Sequence, residues 1–166
     1  MIIGIGGVSM AGKSTLAAAI KTQYPRKKVS VLCQDDYVFS QSQIPKIDEK
    51  TDWENPTSID FDDFLASLLA RKMEYDVVIA EGLFAFYDSM LSSYYDKKLF
   101  IEISESAFYE RKRKDERWGI EPDWYIQHIW ESYLKFGVLP ENQKGILVLD
   151  GSKSIDIDNL MNYLNK

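Results

Sequence analysis

Short apolar runs alternate along the chain with longer stretches in which apolar residues recur every three or four positions. That alternation predicts a parallel sheet whose strands are joined by helices. Ile2 to Val8 reads as a buried strand, and Lys13 to Thr22 as the helix that follows it. Val29 to Cys33, Tyr75 to Ala80, Leu99 to Ile103 and Ile146 to Leu149 read as further strands. Asn55-Pro56-Thr57-Ser58 suits the beginning of a helix whose apolar stripe is Phe61, Phe64, Leu65, Leu68 and Leu69. Ser104 suits the cap of a helix that continues through a charged stretch to about Arg117. Pro122 fits the first turn of another, with Ile126, Ile129, Trp130, Tyr133 and Leu134 on its apolar face. Ile155 to Leu164 closes the chain as a helix. Ser40 to Asp52 is polar and has no period, as a mobile substrate loop would be. The expected fold is α/β, a three-layer α/β/α sandwich with a parallel sheet of about five strands. No repeat or linker divides the chain, so residues 1–166 are expected to form a single domain.

Composition narrows the partners. A chain of 166 residues, 45% hydrophobic and 28% charged, is an ordinary globular chain. Its net charge of -6 argues against a nucleic acid duplex as partner, since that needs a basic face. A phosphorylated ligand remains compatible, because a pocket can be positive on an acidic protein. No apolar run approaches the ~18–20 residues of a membrane span, and no signal-peptide pattern opens the chain, so a cytoplasmic protein is expected. Cys33 is the single cysteine, which leaves no internal disulfide.

The chemistry begins directly after the first strand. Gly7-Val8-Ser9-Met10-Ala11-Gly12-Lys13-Ser14 matches the phosphate-loop pattern G-x-x-x-x-G-K-[ST] at each fixed position, between a predicted strand and a predicted helix. Glycines let successive main-chain N–H groups turn inward around phosphate oxygens, and the positive end of the next helix adds to the attraction. Lys13 would reach the outer phosphates of ATP and the Ser14 hydroxyl would bind Mg²⁺, with Thr15 completing the ATP-binding stretch. In doubly wound sheets ligands bind beyond the carboxyl ends of the strands. Asp35 and Asp36 follow the second strand and Glu81 follows the third. Asp35 is the candidate general base and a magnesium neighbour, and Glu81 would help to hold the metal through its water shell.

Taken in order, the phosphate loop, Gln34-Asp35-Asp36-Tyr37, Asp52-Trp53-Glu54-Asn55-Pro56, Ile79-Ala80-Glu81-Gly82, His128-Ile129-Trp130 and Leu149-Asp150-Gly151-Ser152-Lys153 resemble the nicotinamide riboside kinases. These are a branch of the uridine kinase and phosphoribulokinase superfamily. The resemblance implies a kinase that transfers the γ-phosphate of ATP, with Mg²⁺, to the 5′-hydroxyl of a nucleoside. It implies Asp35 as base and Glu54 on the ribose hydroxyls, a position where the family usually has Asp. Trp53 would line the base pocket, and Gly151, Ser152 and Lys153 would border the adenine. The nucleoside would lie between the turn Asp35, Asp36, Tyr37, Val38 and the segment Trp53-Glu54.

The resemblance also implies a short helical lid, at approximately 111–122, that brings arginine to the phosphates. Arg113 and Arg117 are four apart, hence on one face of a helix, and are preferred over Arg111. Nicotinamide riboside is the first acceptor suggested, and uridine or cytidine the alternative; the oligomeric state stays open between monomer and homodimer. A non-catalytic nucleotide-binding regulator is the remaining alternative, but the Asn-Lys-x-Asp and Asp-x-x-Gly strings of signalling GTPases do not occur. His128, the sole histidine, lies off its helix's apolar stripe and reads as structural or solvated. Trp124, Trp130 and Tyr133 read as core and rim, and Tyr94-Tyr95 as packing.

Overall fold

A computed structural model describes residues 1–117, 119–139 and 145–166. Strand β1 (Ile2–Gly7) is wholly buried and lies at the centre of the sheet, with Ile2, Ile3 and Ile5 inaccessible to solvent. It has β5 (Val77–Glu81) on one side and β6 (Lys97–Glu102) on the other, both parallel. β2 (Val29–Cys33) flanks β5, and β7 (Ile146–Asp150) flanks β6, so the order is β2-β5-β1-β6-β7. Near-continuous apolar strands are what a sheet covered on both faces requires. The three-layer α/β expectation is met.

Helix α1 (Lys13–Thr22) carries the chain outward from β1 to β2 and packs beside α6 (Ile157–Leu164). The chain then returns through α2 (Phe61–Glu74) to β5. Right-handed crossovers in opposite directions put α1 and α2 on opposite faces. The short α3 (Ser89–Ser93) precedes β6; α4 (Glu105–Arg113) and α5 (Asp123–Ser132) pack on one another before β7. Connections leave β1 and β5 toward opposite edges of the sheet, and this reversal opens a crevice at the carboxyl end of β1. Among the described residues no helix is long and apolar enough to cross a membrane.

Several boundaries differ from the sequence reading, each for a local reason. β1 stops at Gly7 because Gly7 itself leaves extended geometry, with φ 142°. Tyr75 ends α2, its N–H bonded to Arg71 O, so β5 begins at Val77 and includes Glu81. Asn55 caps only one 3-10 turn, Pro56–Ser58, because Ile59 then pairs as a bridge with Val38. α2 begins after it, capped by Asp60, whose carboxylate accepts from Asp63 N–H at 2.9 Å. Ser104 does cap α4, but that helix ends at Arg113, so Arg113 and Arg117 do not share a helix face. Pro122 is the N-cap of α5 rather than a residue of its first turn. Beyond Ser132 the helix widens into a π turn over Tyr133–Gly137, which turns Leu134 out to solvent at 53% exposure. The 40–52 segment carries a two-stranded hairpin, β3 (Lys46–Ile47) with β4 (Lys50–Thr51). Residue 118, inside the expected lid, lies outside the described residues.

Candidate active site

The phosphate loop joins β1 to α1 at the sheet's central crevice. At Gly7 a Cβ would lie 2.5 Å from the Ile101 carbonyl oxygen on β6, and φ is 142°. At Gly12, the N-cap of α1, φ is 101°. Met10 at the apex also has positive φ, 65°, a conformation that costs a non-glycine residue about 1–2 kcal/mol. Strain of this kind collects at functional sites, where surrounding contacts hold it in place. Ala11 N–H closes the loop on Val8 O at 3.1 Å, and Lys13 Nζ folds back onto the same oxygen at 3.1 Å. Val8 and Ala11 are buried, Ser9 and Met10 half-buried, and Ser14 and Thr15 face solvent at the start of α1.

Acidic groups converge on this loop from the neighbouring strands. Ser14 Oγ donates to Glu81 Oε1 at 2.6 Å, and Glu81 is only 2% exposed. Asp35 stands exposed in the turn Gln34–Tyr37 that follows β2. Gln34 anchors that turn by accepting the Phe84 N–H at 3.0 Å from the loop after β5. The Cys33 thiol is pushed up to about 12, by burial first and then by the charges of Asp35 and Glu81. Both carboxylates therefore flank one spot, and the thiol beneath them stays protonated and unreactive at neutral pH.

The Trp53-Glu54 segment lies within electrostatic reach of Asp35. Trp53 is 41% exposed, and Glu54 follows it with its N–H bonded to Asp52 Oδ1 at 3.2 Å. Burial raises the Glu54 carboxyl to about 7, the charge of Asp35 adds to the rise, and Lys112 opposes it. Tyr37 is held edge-on against Phe64 at 5.0 Å, and Val38 leans on Ile59. Asp36 is exposed beside Asp35.

The basic residues separate. Arg117 donates through Nη2 to Met10 Sδ at 3.2 Å and lies within electrostatic reach of Asp35. Arg113 instead pairs with Asp123 at 3.4 Å and lies over the Tyr109 ring, so it is not brought to the loop. Arg111, ranked behind both in the sequence, clasps the loop: Nη1 donates to Met10 O at 3.1 Å and Nη2 to Gly151 O at 2.8 Å. Gly151 thereby sits against the loop, and a Cβ there would lie 3.0 Å from Ala11 O. Ser152 and Lys153 turn to Asp150, the amide of Ser152 at 2.9 Å and the ammonium of Lys153 at 2.7 Å. No periodicity could single out Arg111, because its partners are main-chain oxygens 101 and 40 residues away.

His128 has a structural partner. Its Nε2 is 2.7 Å from Asp52 Oδ1, while Tyr125 Oη donates to Thr51 O at 3.2 Å. Lys50 pairs with Glu121 and lies over the Tyr125 ring. The hairpin and the Trp53-Glu54 segment are thus fastened to α5.

The donor set suits Mg²⁺. Among the described residues no three His, Cys, Asp or Glu side chains form a cage. One hydroxyl and nearby carboxylates match an ion that keeps several waters and takes the rest of its shell from phosphate oxygens.

The fold and the loop define an α/β protein of the phosphate-loop type, and the sequence is similar to uridine kinases. No family model matches the chain. It is 29% identical over 128 residues to a uridine kinase of Ureaplasma urealyticum serovar 10, covering 61% of this chain and 62% of that one. To a uridine kinase of Mycoplasma genitalium it is 29% identical over 161 residues, covering 81% and 72%. The chain thus spans just over three fifths (62%) of the length of the first of these relatives. The solved structure of deoxyadenosine kinase from M. mycoides with bound dATP superposes with a TM-score of 0.58 at 16% identity, covering 100% of both chains. At that identity the likeness speaks for the fold.

Proposed function

We propose that the chain is a kinase that moves the γ-phosphoryl group of ATP onto the 5′-hydroxyl of a nucleoside, with nicotinamide riboside as first acceptor. Residues 1–166 act as one kinase domain, with 111–122 as its lid. The observation that carries the reading is the 2.6 Å contact of Ser14 with buried Glu81 at the end of a strained phosphate loop. That contact gathers a hydroxyl and a carboxylate where a triphosphate's metal is needed. Ser14 would hold Mg²⁺, with Asp35 and Glu81 acting on its water shell; the ion supplies neutralisation of the phosphate oxygens.

The loop amides and Lys13 bind the donor's anionic tail, which requires Lys13 to leave Val8 O. Gly151, Ser152 and Lys153 border the adenine. Trp53 stacks on the acceptor's base while Glu54 takes its ribose hydroxyls. Asp35 accepts the proton of the 5′-hydroxyl as that oxygen bonds to the γ-phosphorus. The bond from that phosphorus to the β,γ-bridging oxygen breaks, and ADP leaves with the electron pair. Arg117 lies beside Met10, where charge on the moving group can be met. Arg113 reaches that position only if the lid rotates.

Uridine or cytidine is the second reading, favoured by the uridine kinase relatives. A coupled ADP-release assay tests both with nicotinamide riboside, uridine, cytidine, adenosine and pantothenate. Acceptor-dependent ADP release with one of the nucleosides is expected. Release no faster than in the acceptor-free control for every compound would remove the kinase reading.

A further inference from the structure

Between α4 and α5 lies a carboxylate that the chemistry above leaves unused. The Asp115 side chain is 3% exposed, and both its oxygens are taken by cations. Arg117 grips it bidentately, Nε to Oδ1 at 2.7 Å and Nη2 to Oδ2 at 2.9 Å, and the Arg117 main-chain N–H adds a third bond at 3.3 Å. Lys112 Nζ approaches Oδ2 at 3.4 Å. The Asp115 carboxyl is held well below the usual carboxylate range, chiefly by the Arg117 hydrogen bonds and against the effect of burial.

Arg117 uses the same Nη2 to touch Met10 Sδ at the apex of the phosphate loop. Lys112 is 7% exposed, and its charge is the leading influence that opposes the rise at Glu54. Neutralising the buried ammonium would need one carboxylate oxygen. Asp115 instead gives most of its bonds to Arg117, whose side chain is 67% exposed and needs no neutralising. A bidentate grip on a solvated guanidinium fixes where that group points, because two parallel bonds define an orientation.

Building on the kinase reading, we infer that Asp115 is a positioning residue for phosphoryl transfer, holding Arg117 at the donor loop. Such a residue acts on the turnover rate more than on donor affinity, since the loop amides and Lys13 bind ATP without it.

The test compares the intact chain with Asp115→Asn, Asp115→Glu, Arg117→Ala and the Asp115→Asn/Arg117→Ala pair. Asp115→Asn is expected to lower kcat about tenfold or more while KM for ATP moves less than about threefold. Asp115→Glu, which keeps the charge, restores part of the loss. In the Arg117→Ala background the Asn change costs less than about twofold more, because its partner is already gone. Wild-type kcat in folded Asp115→Asn, or effects that multiply in the pair, would overturn the inference. If Asp115→Asn does not fold, Lys112→Met/Asp115→Asn removes the buried ammonium with its partner and is compared with Lys112→Met by the same criteria.

A second measurement needs no acceptor. Hydrogen exchange of residues 111–117 with Mg²⁺ and a nonhydrolysable ATP analogue is expected to slow in wild type, and much less in Asp115→Asn. Equal slowing in the two would sink the inference even if the kinase reading stands. A wild-type chain inactive on every acceptor removes that reading and leaves the exchange comparison to decide this one.

Discussion

Glu54 sits where a carboxylate is costly to ionise. Its carboxyl is raised from 4.5 to about 7, first by burial and then by the charge of Asp35. A raised group favours the folded state when protonated, and that benefit is lost as pH climbs from the unfolded value through the folded one. Wild-type stability should therefore fall across about pH 4.5 to 7 through this group, by at most about 3.5 kcal/mol, since each tenfold change in proton affinity is worth roughly 1.4 kcal/mol. Glu54→Gln should flatten that decline, leaving the variant little changed at pH 5 and more stable than wild type at pH 8 by urea denaturation. A parallel loss in both proteins would assign the slope to other groups. Asp35 carries the second residue-scale prediction. Asp35→Asn should keep ATP binding while lowering turnover ~10²-fold or more, as loss of a general base does. Near-normal turnover would remove Asp35 from that role. Asp35 was legible in the sequence because it follows a strand beside a phosphate loop. The environment of Glu54 was not, since Asp35, Lys112 and Lys13 reach it from three other segments.

At the scale of elements, the loop's two glycines make unequal demands. Gly7 combines φ of 142° with a Cβ position 2.5 Å from a main-chain oxygen, whereas Gly12 has nothing within 4 Å and only its φ of 101° to satisfy. Gly12→Ala should then cost about 1–2 kcal/mol of unfolding free energy, the left-handed penalty alone. Gly7→Ala should cost more, because β6 backbone must also move. Equal losses in chemical denaturation would contradict the packing argument. Strands and helix stripes were readable because burial repeats with a fixed period along one element. The end of α4 was not. The charged run to Arg117 holds no glycine or proline before residue 119, and the helix stops through bonds of Lys114 N–H to Arg111 O and Asp115 N–H to Lys112 O. The Asp115 ion pairs then hold the chain off the helical path.

On the scale of the whole molecule, a chain of net charge -6 brings three cations, Lys13, Arg111 and Arg117, onto the phosphate loop. Anionic nucleotide binding to the folded state alone should raise the unfolding temperature, with about 2.7 kcal/mol gained at a ligand concentration of 100 Kd. Thermal unfolding with Mg²⁺ and a nonhydrolysable ATP analogue checks this, and Lys13→Ala should abolish most of the rise. A rise that survives in Lys13→Ala would place the nucleotide elsewhere.

The phosphate cradle was determined by the sequence itself, because its amides, lysine and hydroxyl lie within eight consecutive residues between a strand and a helix. The parallel sheet was determined too, by the alternation of apolar runs with helical stripes. Tertiary structure alone decided which arginine faces the loop, that Glu81 meets Ser14 across 67 residues, and that one buried aspartate grips two cations. Spacing along a chain states which side chains share a face of one element. Charge interaction and desolvation depend on distances between elements, and only the packed sheet and its crossovers set those.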